Sequence, residues 1–393
     1  MKPGLLIYCQ HSVGIGHLTR SFAIAAALTS RFNVTFLNGG PLPAGIPVPP
    51  GVDVQDLPAL GMTDGHTLVG RDGVTDVAAA RRQRRARVLD IFERTRPAVL
   101  LVELFPFGRK KFAFELLPLL KLARSLRPAP VIVSSLRDIL VASRPDQQHH
   151  DDRAEWICRR YFDAVVVHAD PQLAKLEETF RPRRALITPV HYTGLVVPEM
   201  RRTPIPLRAE RPILVSAGGG SVGYPLFRAA LAAHALLDPA TAPPLRIIAG
   251  PFLPEDEWQE LQSLVATDPR VTLERSVPDL IAEMRGAAVS LSQCGYNTAL
   301  DIVRAGVPAL VVPYGAERED EQRNRAQRLE ALGAMRCLLD SQMTPATLAA
   351  ELSATQQFQP RANVLQLDGA NATADLLYGL AMNGAESVAC ATG

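Results

Sequence analysis

Short apolar runs rich in Val, Ile and Leu alternate with stretches of helical apolar spacing from one end of the chain to the other. The runs predict strands at Leu5–Cys9, Val34–Leu37, Val99–Val102, Val131–Ser134 and Ala164–His168. After a break, further strands are predicted at Ile213–Ser216, Arg246–Ala249, Val271–Leu273, Val289–Leu291 and Ala309–Val312. Polar residues do not alternate within these runs, as expected for strands buried on both faces of a parallel sheet. Between them, apolar residues recur every three or four positions, as at Leu18, Phe22, Ala25, Leu28 and Phe32. Alternating strands and helices predict an α/β fold with right-handed crossovers.

The break is Val197–Pro212, with prolines at 198, 204, 206 and 212 among Arg201, Arg202, Arg208 and Arg211. That composition reads as a surface linker. The expected organisation is a first domain over 1–197, a linker over 198–212, a second domain over 213–380 and a tail over 381–393. Ligands of open parallel sheets bind at the carboxyl ends of the strands, so a cleft between the domains is the expected active site.

Three motifs stand at such strand ends. The first, HSVGIGHLTR, runs from His11 to Arg20 after the first strand and opens the first helix. Gly14 and Gly16 allow close backbone approach, and a helix N-terminus favours negative charge. A tight turn would explain the glycines alone; His17 and Arg20 on the same turn favour a functional loop. The second, Ser216 to Gly223, contains Gly218, Gly219, Gly220 and Ser221 after the first strand of the second domain. Consecutive glycines expose amide N–H groups that suit a diphosphate, and Ser221 is placed to cap the next helix. No lysine follows as in a P-loop. The third runs from Ser292 to Pro313 and on through Glu321 to Ala326. Gly295 opens a helix that Gly306 ends, and Asn297 and Asp301 lie four apart on one face. A carboxylate there suits a ribose diol. Gln322 opens the next helix, where its amide can both donate to and accept from sugar hydroxyls.

The third block resembles the donor-site signature of GT-B glycosyltransferases, most closely the branch that holds the peptidoglycan N-acetylglucosaminyl transferase and the UDP-glycosyltransferases. The glycine loop is similar to that branch's diphosphate loop, and GIGHLTR resembles its N-terminal glycine-histidine loop. The resemblance spans both halves of the chain in order. It implies a GT-B fold of two Rossmann-like parallel α/β domains facing across a cleft. It further implies a UDP-sugar donor, inversion, and no metal or cofactor. Carried onto matching positions, Asp301 takes the ribose, and Glu321 with Gln322 contacts the sugar. Gly218 to Ser221 holds the diphosphate, with Gly295, Asn297 and Thr298 beside it. The segment near Ser276 and Val277 meets the base. His17 is the implied catalytic base, oriented by Glu103 at the end of a strand.

Two rival activities share the fold in that resemblance: UDP-sugar hydrolysis, in which the histidine activates water, and non-hydrolysing epimerisation. A non-catalytic nucleotide-sugar binder is the third alternative. The formal net charge is +2, but 14 Lys or Arg face 4 Asp or Glu between Arg81 and Arg137, which predicts one basic face on the first domain. Arg81 to Arg87 is read as a solvated helical face. Near-zero total charge and no recognition motif argue against nucleic acid. Phe105, Phe107 and Phe114 beside Arg109, Lys110 and Lys111 are candidates for peripheral contact with an anionic membrane, with ordinary core burial the favoured reading. Phe112, Leu116, Leu119 and Ala123 form a core-facing stripe. His149 to Asp152 lacks a second cluster at metal spacing and reads as a helix start. His168 and His191 have no evident partner. Scattered cysteines at 9, 158, 294, 337 and 390, and no targeting signal or membrane-spanning run, fit a cytoplasmic protein.

Overall fold

The computed structural model describes residues 2–11, 16–43, 46–63, 67–71, 73–137, 146–197, 204–315 and 321–391. The chain forms two compact units, one of residues 1–199 with 365–393, the other of residues 200–364.

The first unit carries a seven-stranded sheet. Its strands in chain order are β1 (Gly4–Cys9), β2 (Asn33–Asn38), β3 (Val52–Asp56), then, beyond a separate hairpin of β4 (Leu60–Thr63) and β5 (Thr67–Gly70), β6 (Val99–Glu103), β7 (Val131–Leu136), β8 (Ala164–Val167) and β9 (Val190–Tyr192). They lie in the order β3-β2-β1-β6-β7-β8-β9, every pair parallel. The strands β6 and β8 are wholly buried, as their unbroken apolar runs require, whereas edge strand β3 has no fully buried residue. Phe92, Phe112, Leu116 and Leu119 fill the core on one face of the sheet, and Leu18, Phe22, Phe36 and Leu377 that on the other. Full burial of each such side chain contributes roughly 1.5–3 kcal/mol.

The second unit repeats the plan with β10 (Ile213–Ser216), β11 (Leu245–Ile248), β12 (Val271–Glu274), β13 (Val289–Ser292), β14 (Ala309–Val311) and β15 (Arg336–Cys337). Their order, β12-β11-β10-β13-β14-β15, is again fully parallel. Both sheets therefore reverse direction beside their first strand, between β1 and β6 and between β10 and β13. That switch point is where doubly wound sheets open a crevice at the strands' carboxyl ends.

All ten predicted strands are present within a residue or two. The expected boundary at 380 is not. Residues 365–391 return to the first unit: Leu195 N donates to Gln366 O (2.7 Å), Gly369 N to Leu195 O (3.1 Å) and Gln366 N to Asp170 Oδ2 (3.0 Å). The helix Gly369–Ala391 then buries Ala374, Leu377 and Ala381 in the first unit's core. Helical periodicity reveals an apolar face but not which sheet receives it. Of the expected linker, residues 198–203 lie outside the described residues; farther on, Arg208 donates to Glu283 and Arg211 to Ala287 O, which fastens that end to the second unit.

On the helix Val77–Thr95, Arg81, Arg82, Arg85 and Arg87 are exposed, as a solvated face requires, and Arg81 lies 4.5 Å from the Phe114 ring centroid; Arg84 departs from that face and is fully buried. Arg84 is satisfied by Glu115 Oε1 (2.6 Å), Gln10 Oε1 (2.7 Å) and the carbonyls of Gly39 and Pro58. A buried charge is tolerable only with this saturation of partners. Phe105 and Phe107 are also buried, and the predicted stripe of Phe112, Leu116, Leu119 and Ala123 lies in the core. Those two rings are thus unavailable to a membrane, and no described helix is long and apolar enough to cross one.

Candidate active site

In the first unit the site forms where β1 and β6 end. Gly16 is the first residue of the helix Gly16–Leu28; Gly14 lies outside the described residues. His17 and Arg20, three apart and so on one helical face, both reach Glu103, the last residue of β6. His17 Nδ1 is 2.6 Å from Glu103 Oε1, and Arg20 Nη2 donates to the same oxygen at 2.7 Å. Glu103 is almost completely buried. Burial opposes its ionisation, but His17, Arg109 and Arg20 around it hold the carboxyl well below the ordinary carboxylate range. With Glu103 anionic, Nδ1 carries the imidazole proton and donates it to that carboxylate. Burial lowers the His17 pKa from 6.5; Glu103 opposes that shift, and Arg109 and Arg20 add to it. The side chain keeps 20% exposure. Nε2 has no hydrogen-bond partner among the described residues and is the lone-pair nitrogen of the ring.

Sequence reasoning gave Arg109 no part in this site. The chain turns back after Glu103 through Leu104 (φ 62°) and Arg109 (φ 56°), both left-handed and neither a glycine. Nothing in residue spacing signals such a turn. It is held by Leu104 N donating to Ser135 O (2.8 Å), by Ser134 Oγ donating to Phe105 O (2.8 Å) and by His150 Nε2 donating to Phe107 O (2.8 Å). His150 thus has a structural bond, and among the described residues no group of three His, Cys, Asp or Glu is placed to hold a metal ion. His168 also acquires partners, Ser135 Oγ at 2.7 Å and Thr193 Oγ1 at 3.1 Å, and burial pushes it down to about 3. It is a neutral link in the core.

In the second unit the glycine loop follows β10. Gly218 (φ 56°) and Gly220 (φ 92°) take left-handed backbone, and a Cβ on Gly220 would stand 2.2 Å from Ala249 O. Only glycine fits there. Ser221 is exposed and does not cap: the helix Tyr224–His234 starts later, from Gly223, without a side-chain cap. The missing cap leaves first-turn N–H groups at the loop. Across the switch point, Gly295 is the N-cap of the helix Tyr296–Ala305, which Gly306 ends in left-handed conformation. The buried Thr298 hydroxyl lies 3.7 Å from where a Gly218 Cβ would stand, so the glycine loop and this helix start are neighbours. Asn297 is exposed one residue before it, and Asp301 is half-buried on the same helix. Burial pushes the Asp301 carboxyl up to about 6, while Arg304, 3.8 Å away, pulls in the opposite direction. Val277, half-buried, and Ser276, exposed, follow the end of β12.

The helix Glu321–Ala331 is fastened to the end of β13. Gln322 Oε1 accepts from Cys294 N (3.1 Å) and Tyr314 N (3.2 Å), so only its NH2 remains to donate to a ligand. Glu321 Oε1 accepts from Arg325 Nη2 (2.6 Å), and the buried Arg325 also donates to Cys294 O (3.0 Å). The four-residue spacing of Glu321 and Arg325 is legible in sequence; the burial of Arg325 is not.

Two doubly wound parallel sheets, each with a loop at its switch point, give the chain the GT-B fold of two Rossmann-like parallel α/β units. Residues 215–374 match the glycosyltransferase family 28 C-terminal domain. A UDP-N-acetylglucosamine--N-acetylmuramyl-(pentapeptide) pyrophosphoryl-undecaprenol N-acetylglucosamine transferase of Paramagnetospirillum magneticum is 30% identical over 56% of this chain and 59% of its own length. The enzyme of that name from Novosphingobium aromaticivorans is 25% identical over 87% of this chain and 81% of its own length. The crystal structure of Acinetobacter baumannii MurG superposes with a TM-score of 0.56 at 17% identity, covering 96% of this chain and 100% of that one. The chain spans about half to three-fifths of the length of the first curated relatives it matches.

Proposed function

We propose that the protein transfers a sugar from a UDP-sugar to a hydroxyl of a lipid- or glycan-linked acceptor, with inversion and without a metal ion. The observation that carries this reading is the His17–Glu103 pair at 2.6 Å, with Nε2 left to a substrate. In the proposed step, Nε2 takes the proton of the acceptor hydroxyl while its oxygen bonds to the sugar's anomeric carbon from the face opposite UDP. The bond from that carbon to the diphosphate breaks, and UDP leaves with the electron pair. Glu103 stabilises the imidazolium that forms, as a carboxylate partner does for any general base. Gly218, Gly219 and Gly220 amides and the helix starts at Tyr224 and Tyr296 stabilise the leaving diphosphate. Asp301 and the Gln322 NH2 take the ribose and the sugar, and Val277 packs near the base.

A UDP-sugar panel, supplied with and without a cell lipid and glycan extract and with chelator present, tests the reading. UDP, free sugar and conjugated sugar are followed separately. Label entering a larger product only when extract is present supports transfer. Rapid free sugar or sugar phosphate without acceptor means hydrolysis, and UDP binding with no turnover across the panel means a binding protein.

A further inference from the structure

The loop that follows β11 reads Pro251-Phe252-Leu253-Pro254, and its two middle residues part ways. Leu253 is buried in the second unit's core, whereas Phe252 is 59% exposed. A single exposed apolar side chain is ordinary on a protein surface. Phe252 differs in what it lies against. Phe252 N donates to Gly219 O (2.8 Å), and a Cβ built on Gly219 would stand 2.9 Å from Phe252 Cδ2. The ring therefore lies over the exposed middle glycine of the loop after β10.

Backbone contacts, rather than packing of the ring, fix this placement. Gly250 takes φ 92°, and a Cβ there would stand 2.5 Å from the Gly219 carbonyl, so the turn admits only glycine. On its other side the turn is tied to the end of β12: Gly250 N donates to Arg275 O (2.9 Å), and Arg275 Nη1 donates to Leu253 O (3.2 Å). Pro251 and Pro254 remove further backbone freedom. Phe252 thus stands on a braced segment bonded on one side to the glycine loop and on the other to Arg275, the residue before Ser276 and Val277. An aromatic side chain held in place without being buried is pre-organised contact area, with little conformational entropy left to lose when a ligand covers it.

We propose that Phe252 is a donor-recognition residue: its ring is the platform against which a ring of the donor, joined directly to the diphosphate, lays its face. This deepens the donor-site reading above and rests on it. A diphosphate held by the amides of Gly218 to Gly220 lies beside the Phe252 ring. A nucleotide sugar carries a ring-bearing group on each side of its diphosphate, the nucleoside and the sugar, and either offers a face to an aromatic platform. Stacking of this kind is tolerant of which base is present, so Phe252 supplies affinity and leaves the choice of base to other residues.

The test titrates the full-length wild-type protein, Phe252→Ala, Phe252→Leu and Phe252→Tyr with UDP, UMP, inorganic pyrophosphate and the UDP-sugar that the panel above selects. Phe252→Ala should weaken a ring-bearing ligand about 5-fold or more, the effect of losing one aromatic stack, while pyrophosphate affinity stays within about two-fold. A loss shared by UDP and UMP assigns the platform to the nucleoside; a loss confined to the UDP-sugar assigns it to the transferred sugar. Phe252→Tyr should keep wild-type affinity, and Phe252→Leu should resemble Phe252→Ala, since the flat aromatic face is what the ligand meets. Unchanged affinity for every ligand in Phe252→Ala overturns the proposal. So does an equal loss for pyrophosphate, which would mean that the ring only props the glycine loop. Phe252→Leu decides both points if Phe252→Ala does not fold. Failure of the wild-type protein to bind UDP would instead count against the donor-site reading itself.

Discussion

The two switch points place polar groups at the end of a buried sheet with different materials. In the first unit the groups are side chains: Glu103, His17, Arg20 and Arg109 form a cluster in which the imidazole and the two guanidiniums hold the Glu103 carboxyl well below the ordinary carboxylate range. In the second unit they are mostly backbone: three glycines and two helix starts without side-chain caps, with Thr298, Asp301 and Gln322 around them. A cluster of buried charges is exacting in distance and fails when one member is removed. A loop of amides is exacting in backbone shape and fails when a Cβ is added. Chemistry that moves a proton suits the first, and a diphosphate that must be held while its charge grows suits the second.

The largest separation between the two should come from Glu103→Gln. It leaves Arg20 and Arg109 facing a neutral amide, a loss of about 3–5 kcal/mol of stability for a broken buried pair. Thermal unfolding should register that loss, whereas UDP affinity in the protein that remains folded should stay within about two-fold of wild type. A variant with unchanged stability would show that Glu103 is not the anchor of the cluster. Gly220→Ala should do the reverse. The Cβ meets Ala249 O and the φ is unfavourable, so UDP affinity should fall roughly 10-fold or more through about 1–3 kcal/mol of loop strain. Calorimetry reads this directly, and an unaltered affinity removes the glycine loop from the donor site.

How much of each site was legible in the sequence follows from the same contrast. Backbone geometry is written locally: Gly218 and Gly220 take the left-handed turn, and Gly295 and Gly306 bound a helix, where the sequence places them. His17 and Glu103 are 86 positions apart and were paired only through a family resemblance, yet they meet. Arg109 and Arg84 were invisible, because burial of a charged side chain depends on acceptors from several elements and leaves no periodic trace. Ser221 does not take the cap position its residue type suits, since the loop lets the helix begin only at Gly223. The return of residues 365–391 to the first unit was missed for a similar reason: an apolar helical face names no partner.

Asp301 gives a smaller and pH-dependent effect. Asp301→Ala should weaken UDP binding by about 1–3 kcal/mol, the range for losing hydrogen bonds to a charged group. Its carboxyl titrates at about 6 because burial disfavours the charged form. In the proposed donor site the ionised form accepts from a ribose diol, so wild-type affinity should fall as pH drops through 6, and the Ala variant should lose that dependence. A flat wild-type profile would take Asp301 out of the nucleotide site. The smallest effect is expected at the membrane. With Phe105 and Phe107 buried, only exposed cations such as Lys110 and Lys111 remain on that segment. Any binding to anionic vesicles should be weak and released by salt. Salt-resistant sedimentation would point to apolar insertion from elsewhere on the chain.

The central claim is that His17 is the base, and a single comparison tests it. UDP-sugar consumption with a productive acceptor extract is measured from pH 5 to 8 in wild type and in His17→Ala, alongside UDP affinity. Wild-type transfer should fall on the acid side of an inflection below 6.5, since burial lowers the His17 pKa and only the neutral imidazole accepts a proton. His17→Ala should lose roughly 100-fold or more in rate and lose that inflection, with UDP affinity preserved. A variant that retains wild-type rate and pH profile would contradict the account.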